Sequence, residues 1–330
     1  MRDPAFWWRP AGVAAALLSP LGAIYGAVAG ARMAQAGRRA GVPVICVGNL
    51  TLGGAGKTPA AILAAQILID AGRKPFVLSR GYGGTLEGPV RVDAHRASEV
   101  GDEPLLLARA APTVVARDRA AGAEMARATG AGSIVMDDGF QSPNLHKDLS
   151  ILMVDGRRGI GNARVFPAGP LRAPLGAQLR RAAAVLVIGK GAAGDAAERV
   201  AREHGLSVFH GRLEPDGEAL AALKGKPVLA FAGIGDPEKF FATLGEAGLD
   251  VRAKVSFPDH HRFSREEASA LVERAKREGL LLLTTEKDMA RLSGDGDAAA
   301  LAIAAQALPV RLTVAEQSEF RDLILRAAGS

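Results

Sequence analysis

The stretch PVICVGNLTLGGAGKTP, residues 43–59, decides the fold class. It opens on a β-branched run of strand length at 43–47, passes through glycines, and enters an apolar helical pattern over 59–71. Strand, glycine turn and helix in that order match the phosphate-binding loop G-x-x-x-x-G-K-[ST], with Thr51 standing in the first glycine position. The mechanics of the motif survive this change. Gly53, Gly54 and Gly56 let backbone N–H groups turn inward around an anion. Lys57 reaches β- and γ-phosphates, and the Thr58 hydroxyl suits Mg2+. Pro59 occupies the first helical turn, where no N–H is needed, and the helix N-terminus faces the phosphates. Thr51, Gly53, Gly54, Ala55, Gly56, Lys57 and Thr58 are therefore the expected ATP-binding residues, with Mg2+ as the accompanying ion.

Outward from this loop, strand patterns at 74–78, 113–116, 133–136, 149–154 and 184–188 alternate with helices. Continuous apolar strands of this kind indicate a parallel sheet covered on both faces. A second set begins near residue 206, with strands at 207–210, 227–232, 251–256, 280–284 and 310–314 and helices at 237–247 and 264–278. Ser264 and Glu267 have capping-box spacing. Residues 298–307 are alanine-rich and read as a surface helix. The expected architecture is α/β: a P-loop-containing parallel-sheet (α/β/α) domain over 36–205 and a second, smaller α/β domain over 206–330. Their seam falls near Gly205, and the second domain contributes to the catalytic cleft.

Residues 1–35 form a separate apolar segment. Residues 10–31 carry no charge, and a helix of that length rises ~33 Å, about the hydrocarbon thickness of a bilayer. Trp7, Trp8 and Arg9 precede it, Tyr25 lies within it, and Arg32, Arg38 and Arg39 follow, a pattern of interface anchors. Gly22, Gly26 and Gly30 share one helical face and permit close approach of another helix. Pro20 and the scarcity of leucine weaken a spanning reading, so spanning and interfacial placements both stand, beside a buried hairpin at the domain edge. A cleaved signal peptide does not suit a chain that uses ATP. The formal charge is +6, of which residues 1–40 carry +4. A chain basic mainly at one end fits anionic lipid headgroups and not a nucleic-acid docking face. The single cysteine, Cys46, excludes an intrachain disulfide framework and a cysteine-based zinc site.

The metal side of the site is read from residues 133–138, an apolar strand ending in Asp137-Asp138, which suits hydrated Mg2+ at a strand's C-terminal edge.

Taken in order, these motifs resemble the tetraacyldisaccharide 4'-kinase family, the lipid A 4'-kinases of Gram-negative bacteria. The resemblance covers nearly the whole chain. It runs through Pro20-Leu21-Gly22, Val47-Gly48-Asn49-Leu50-Thr51, the glycine loop, Ser79-Arg80-Gly81-Tyr82-Gly83, Gly101-Asp102-Glu103-Pro104, Asp137-Asp138-Gly139-Phe140-Gln141 and Phe166-Pro167-Ala168-Gly169-Pro170-Leu171-Arg172. It continues through Ala232-Gly233-Ile234-Gly235, Asp259-His260 and Thr284-Thr285-Glu286-Lys287-Asp288. Thr51 in the first glycine position is similar to the family's own habit. Where relatives often carry Arg-Glu-Pro, this chain has Arg172-Ala173-Pro174, so a role of that glutamate is absent or moved.

The resemblance implies a kinase, a phosphotransferase with an alcohol acceptor. It would move the ATP γ-phosphate to the 4'-hydroxyl of a tetraacyl glucosamine disaccharide 1-phosphate, giving lipid IVA. It implies attachment to the cytoplasmic face of the inner membrane, with membrane lipids and the lipid A precursor as partners and no nucleic acid or obligate protein partner. A sugar hydroxyl benefits from a positioned base. Asp102 is the implied base, with His260 orienting it from the second domain and Lys57 assisting transfer. Glu103 joins Thr58, Asp137 and Asp138 as an expected metal-shell residue, and Arg80, Tyr82, Asn144 and Arg172 are expected substrate contacts. Read without the resemblance, Asp102-Glu103 equally suits a helix cap, and Thr285, Glu286 and Asp288 suit either a nucleotide or hinge role or a structural turn. The competing functions are a P-loop NTPase that remodels a membrane partner and a kinase acting on a soluble metabolite.

Overall fold

The structure is a computed structural model, and it describes residues 3–329. Val44–Asn49 is its central strand and is buried at every position. It pairs in parallel with Ser133–Asp137 on one side and Leu149–Asp155 on the other. Among the described residues the large sheet has nine strands. Their order is Val310–Val314, Ser207–Pro215, Ala184–Ile188, Leu149–Asp155, Val44–Asn49, Ser133–Asp137, Pro75–Ser79, Thr113–Val115, Val90–Arg91. Only the two edge pairings are antiparallel. Alternate residues feed two separate cores, as the two-residue period of a strand requires. Cys46, Ile134 and Leu152 enter one, while Ile45, Val47, Val135 and Ile151 enter the other. Helix Lys57–Asp70 lies on the second face through Ala60, Ala61, Ala64, Ala65 and Leu68, whose small side chains bring it close to the strands.

A four-stranded parallel sheet, Asp250–Ser256, Pro227–Ala232, Leu281–Thr285 and Ala305–Leu308, forms the smaller unit. Ser264 caps helix Arg265–Glu278 reciprocally with Glu267, as the spacing requires.

The sheets divide the chain elsewhere than at the expected seam. Ser207–Pro215 and Val310–Val314 belong to the large sheet. The terminal helix Gln317–Ala327 buries Phe320 and Ile324 in the core beneath the phosphate loop's helix. The smaller sheet is thus confined to residues 227–308, between two strands that pair at the large sheet's edge. Contiguity in sequence could not show this, because an antiparallel edge can recruit a strand from any distance. The expected surface helix at 298–307 is also half wrong. Ala299–Ala304 is helical with Leu301 buried, and Ala305–Leu308 pairs with Leu281–Thr285. Alanine favours helices, so only the free sheet edge makes this segment a strand.

The apolar N-terminal segment is a helix, Val13–Ala34, with Pro20 inside it rather than ending it. Its glycines meet a loop, not another helix: a Cβ on Gly22 would lie 2.9 Å from the Val165 carbonyl oxygen, and Gly26 faces Val165 and Pro174. Val13, Leu17, Leu21, Ile24 and Val28 are 57–78% exposed and fall at helical spacing in one outward stripe. Trp7, expected as an interface anchor, is buried instead. Its indole N–H donates to the Pro167 carbonyl at 3.0 Å and its ring meets Phe166 edge-on.

At the large sheet's edge, His210 Nδ1 lies 2.8 Å from Glu316 and Nε2 3.0 Å from Glu198. The hydrogen bond to Glu316, then that to Glu198, raises its pKa. The resulting stabilisation is fully present below the unfolded value, about 6.5, and is lost as pH rises through the higher folded value. His210→Gln should therefore lower the denaturation midpoint at about pH 6 and leave it near that of the wild type at about pH 9.

Candidate functional site

The phosphate loop is held open by its backbone. Gly53 and Gly56 have φ of +98° and +80°, a region costly to residues with a Cβ. The buried Asn49 amide donates to the Gly53 carbonyl at 2.8 Å and fixes the turn. Thr51 forms an antiparallel bridge with Leu171, Leu52 N–H donates to Pro170, and Arg172 N–H donates to Leu50. This extended pairing suits a β-branched residue and explains why no glycine is needed there. Lys57 is 8% exposed, its ammonium 3.4 Å from the Gly53 carbonyl and 3.8 Å from Asp138, and Thr58 beside it is also buried.

Asp137 ends the strand next to the loop, opposite Val47 in register. Both its carboxylate oxygens are buried without a hydrogen-bond partner. Burial, then the charges of Glu103 and Asp138, push its pKa up to about 7. Asp138 contrasts with it. Its backbone sits at φ +50°, and its carboxylate is gripped by Arg172 at 2.7 and 3.3 Å. Burial alone would raise Asp138, but the charges of Lys57 and Arg172 hold it below its usual value. An orphaned buried carboxylate beside a buried threonine hydroxyl and a phosphate cradle is a donor set that fits Mg2+, which draws its remaining ligands from phosphate and water. Among the described residues no cluster of three or more His, Cys, Asp or Glu offers an all-protein cage instead. Arg119, buried behind the strand, donates to the carbonyls of Ala116 and Asp137, and burial brings its pKa down to about 10.

Asp102 begins helix Asp102–Ala110. Gly101 precedes it at φ +90°, where a Cβ would collide with the Tyr82 carbonyl. Asp102 is 3% exposed. Its Oδ2 lies 3.3 Å from His260 Nδ1 and 2.8 Å from Arg291 Nε, and its Oδ1 accepts the Glu103 N–H. Burial alone would raise Asp102; the His260 hydrogen bond and the charges of Arg291 and Lys287 instead hold it well below the usual carboxylate range. The same hydrogen bond raises His260. Glu103, expected in the metal shell, is bound by the Lys287 ammonium. Lys287 and Arg291 lie four apart in helix Glu286–Leu292, on one face, opposite the adjacent acids Asp102 and Glu103.

Sequence reasoning missed these two cations. Their signal was the i, i+4 spacing directly after Thr284-Thr285-Glu286. Elsewhere in that motif Thr284 donates to the Phe231 carbonyl, Thr285 caps the helix at Asp288, and Glu286 accepts the Val310 N–H. His261 pairs with Glu267 at 2.8 Å, away from Asp102.

The expected substrate residues separate. Arg80 and Tyr82 are exposed after strand Pro75–Ser79, and the Tyr82 ring lies 5.1 Å from that of His260. Arg172 donates to Asp138 and to the Thr51 carbonyl. Asn144 is exposed, and its carbonyl accepts from Arg38 N–H, tying it to the segment after the N-terminal helix. Ala173 is buried, and its carbonyl accepts from Gln178. Gln178 in turn joins Gln141 and donates to the Leu50 carbonyl, so an amide brace supports the backbone at Ala173.

With this geometry in hand, the chain can be set beside known proteins. The family described as Tetraacyldisaccharide-1-P 4'-kinase matches residues 14–328. The Tetraacyldisaccharide 4'-kinase of Methylobacterium sp. (strain 4-46) is 57% identical over 318 residues, 96% of this chain and 94% of that protein. That of Bradyrhizobium sp. (strain BTAi1 / ATCC BAA-1182) is 52% identical over 332 residues, 100% of this chain and 96% of the relative. A crystal structure of LpxK from Aquifex aeolicus in complex with ATP superposes with a TM-score of 0.73 at 28% identity, covering 95% of this chain and 99% of that one.

The orphaned carboxylate generates a test. Asp137→Asn removes a buried charge that lacks a partner. Without ligands at about pH 8, the variant should melt no lower than the wild type. It should also lose the stabilisation that Mg2+ adds beyond ATP alone, read from thermal melts with and without the ion.

Proposed function

The chain belongs to the tetraacyldisaccharide-1-P 4'-kinase family and is a tetraacyldisaccharide 4'-kinase of lipid A biosynthesis; from that premise, we propose which of its residues carry the transfer. ATP lies in the loop Thr51–Thr58. The acceptor is the 4'-hydroxyl of a tetraacyl disaccharide 1-phosphate. The bond from that oxygen to the γ-phosphorus forms as the bond to the β,γ-bridging oxygen breaks, and the hydroxyl proton passes to Asp102. Mg2+, held by Thr58 and Asp137, supplies charge neutralisation at the phosphates when bound. The observation that carries this reading is the Asp102 carboxylate, buried and oriented by His260 at 3.3 Å.

A carboxylate held well below its usual range binds a proton weakly. Phosphoryl transfer tolerates this, because its transition state is loose and the acceptor needs orientation more than deprotonation. His260 fixes the carboxylate's direction and balances its charge. Lys57, whose ammonium lies between the Gly53 carbonyl and Asp138, contacts the γ-phosphate of bound ATP. Arg80 and Tyr82, exposed beside His260, meet the sugar or its phosphate.

We further propose that helix Val13–Ala34 lies in the cytoplasmic interface of the inner membrane rather than crossing it. Its glycine face is occupied by the protein body, while the stripe from Val13 to Val28 is bare and Arg32, Arg38 and Arg39 are exposed beyond it. One apolar and one occupied face suit an interfacial helix.

The direct assay uses labelled ATP, Mg2+ and tetraacyldisaccharide 1-phosphate in detergent. Label should appear on the lipid; label found only as free phosphate would overturn the kinase reading. Asp102→Asn should retain ATP binding and lose about 10²- to 10⁴-fold in turnover, as expected for a lost base. Leu17→Glu combined with Ile24→Glu should move the protein from the membrane fraction to the soluble one. A wild type already soluble without detergent would contradict the interfacial helix.

A further inference from the structure

We propose that Arg291 is a positioning residue for the acceptor base: one guanidinium fixes Asp102 and, through the Gly233 carbonyl, the backbone that carries His260. The inference rests on the reading of Asp102 as the base.

Four groups close a ring. Arg291 Nε donates to Asp102 Oδ2 at 2.8 Å, and its Nη1 donates to the Gly233 carbonyl at 2.7 Å. That same carbonyl accepts the His260 N–H at 3.1 Å, and His260 Nδ1 returns to Asp102 Oδ2 at 3.3 Å. The Gly233 peptide is held on its other side too. Its N–H donates to Asp288 Oδ1 at 3.0 Å, and Arg291 Nη1 reaches that oxygen at 2.8 Å. A Cβ on Gly233 would lie 3.1 Å from Asp288 Oδ1 and 3.2 Å from Arg291 Nη1, so glycine keeps the junction tight.

Asp102 belongs to a helix of the larger unit, whereas Gly233, His260, Asp288 and Arg291 all belong to the smaller one. His260 has φ +55°, a conformation that side chains other than glycine adopt only when their surroundings enforce it. The Gly233 carbonyl is part of that enforcement, and Arg291 holds the carbonyl. Three acceptors from separate segments converge on two nitrogens of one planar fork, a task for which a lysine ammonium has the charge but not the geometry. Arg291 Nη2 is buried without a partner. The guanidinium is therefore not placed to satisfy itself fully; it is placed where Nε and Nη1 serve the base and the histidine loop.

The test is a double-mutant cycle in steady state, with Mg-ATP and the lipid acceptor. Arg291→Ala should lower kcat about 30- to 100-fold with the KM for ATP within about twofold. Arg291→Lys, which keeps the charge, should recover part of that loss and provides the measurement if the alanine variant fails to fold. In an Asp102→Asn background the same Arg291 substitution should cost less than about threefold, because a residue that acts through Asp102 has nothing left to position. Equal losses in both backgrounds would overturn the role of Arg291 while leaving the base in place. Near-normal turnover of Asp102→Asn alone would instead overturn the base reading, and the inference with it.

Discussion

Four carboxylates gather where helix Asp102–Ala110 meets helix Glu286–Leu292 and at the end of strand Ser133–Asp137: Asp102 and Asp137 are buried, and Glu103 and Asp138 are partly buried. Burying so much negative charge is expensive unless each group finds a cation. Arg291 answers Asp102, Lys287 answers Glu103, and Arg172 with Lys57 answers Asp138. Asp137 alone has no side-chain hydrogen bond or ion pair. The rest of the site follows from this unequal distribution. Three matched acids are positioned groups, each with a fixed direction. The fourth lies near the glycine loop with neither carboxylate oxygen bonded by any side chain or backbone group. The helix carrying Lys287 and Arg291 comes from the smaller unit, so the site exists only where the units touch.

A second chain of contacts joins the apolar helix Val13–Ala34 to the same place. Its glycine face rests on Val165 and Pro174. Between those residues, Leu171 pairs with Thr51 at the start of the phosphate loop, and Arg172 grips Asp138. Trp7 closes the arrangement by bonding to Pro167. The segment 165–174 is thus both the seat of the helix and the backbone partner of the phosphate loop's first residues. One short loop therefore sets the separation between the bare apolar stripe and the phosphate loop.

The phosphate loop was legible in the sequence because its signal is local: strand, glycines, Lys57, Thr58 and helix are contiguous. The placement of Asp137-Asp138 at a strand's end was legible for the same reason, but not that Arg172, arriving from another segment, pairs with Asp138 and leaves Asp137 without a partner. The pairing of Asp102 with His260 was named through family likeness; nothing in spacing alone joins residues so far apart. Arg291 lay in plain view but carries no motif. Its meaning appears only when residue 102 is seen to face the helix that bears it. The fold shows the same limit. Six of the strands between 43 and 188 were read near their places, but the two-residue edge strand Val90–Arg91 was too short to show as a pattern, and Val310–Val314 was grouped away from the large sheet it joins because edge pairing ignores chain order. Trp7 looked like a membrane anchor by its neighbours and is a structural pin by its contacts.

The account stands on Asp137 being the one acid left for a metal while the other three stay paired. A crystal structure with Mg2+ and a non-hydrolysable ATP analogue tests this directly. The metal should be coordinated by Asp137, the Thr58 hydroxyl and phosphate oxygens, with Asp102 still bound to Arg291 and Glu103 to Lys287. A metal seated on Asp102 or Glu103, with Asp137 remaining unligated, would contradict it.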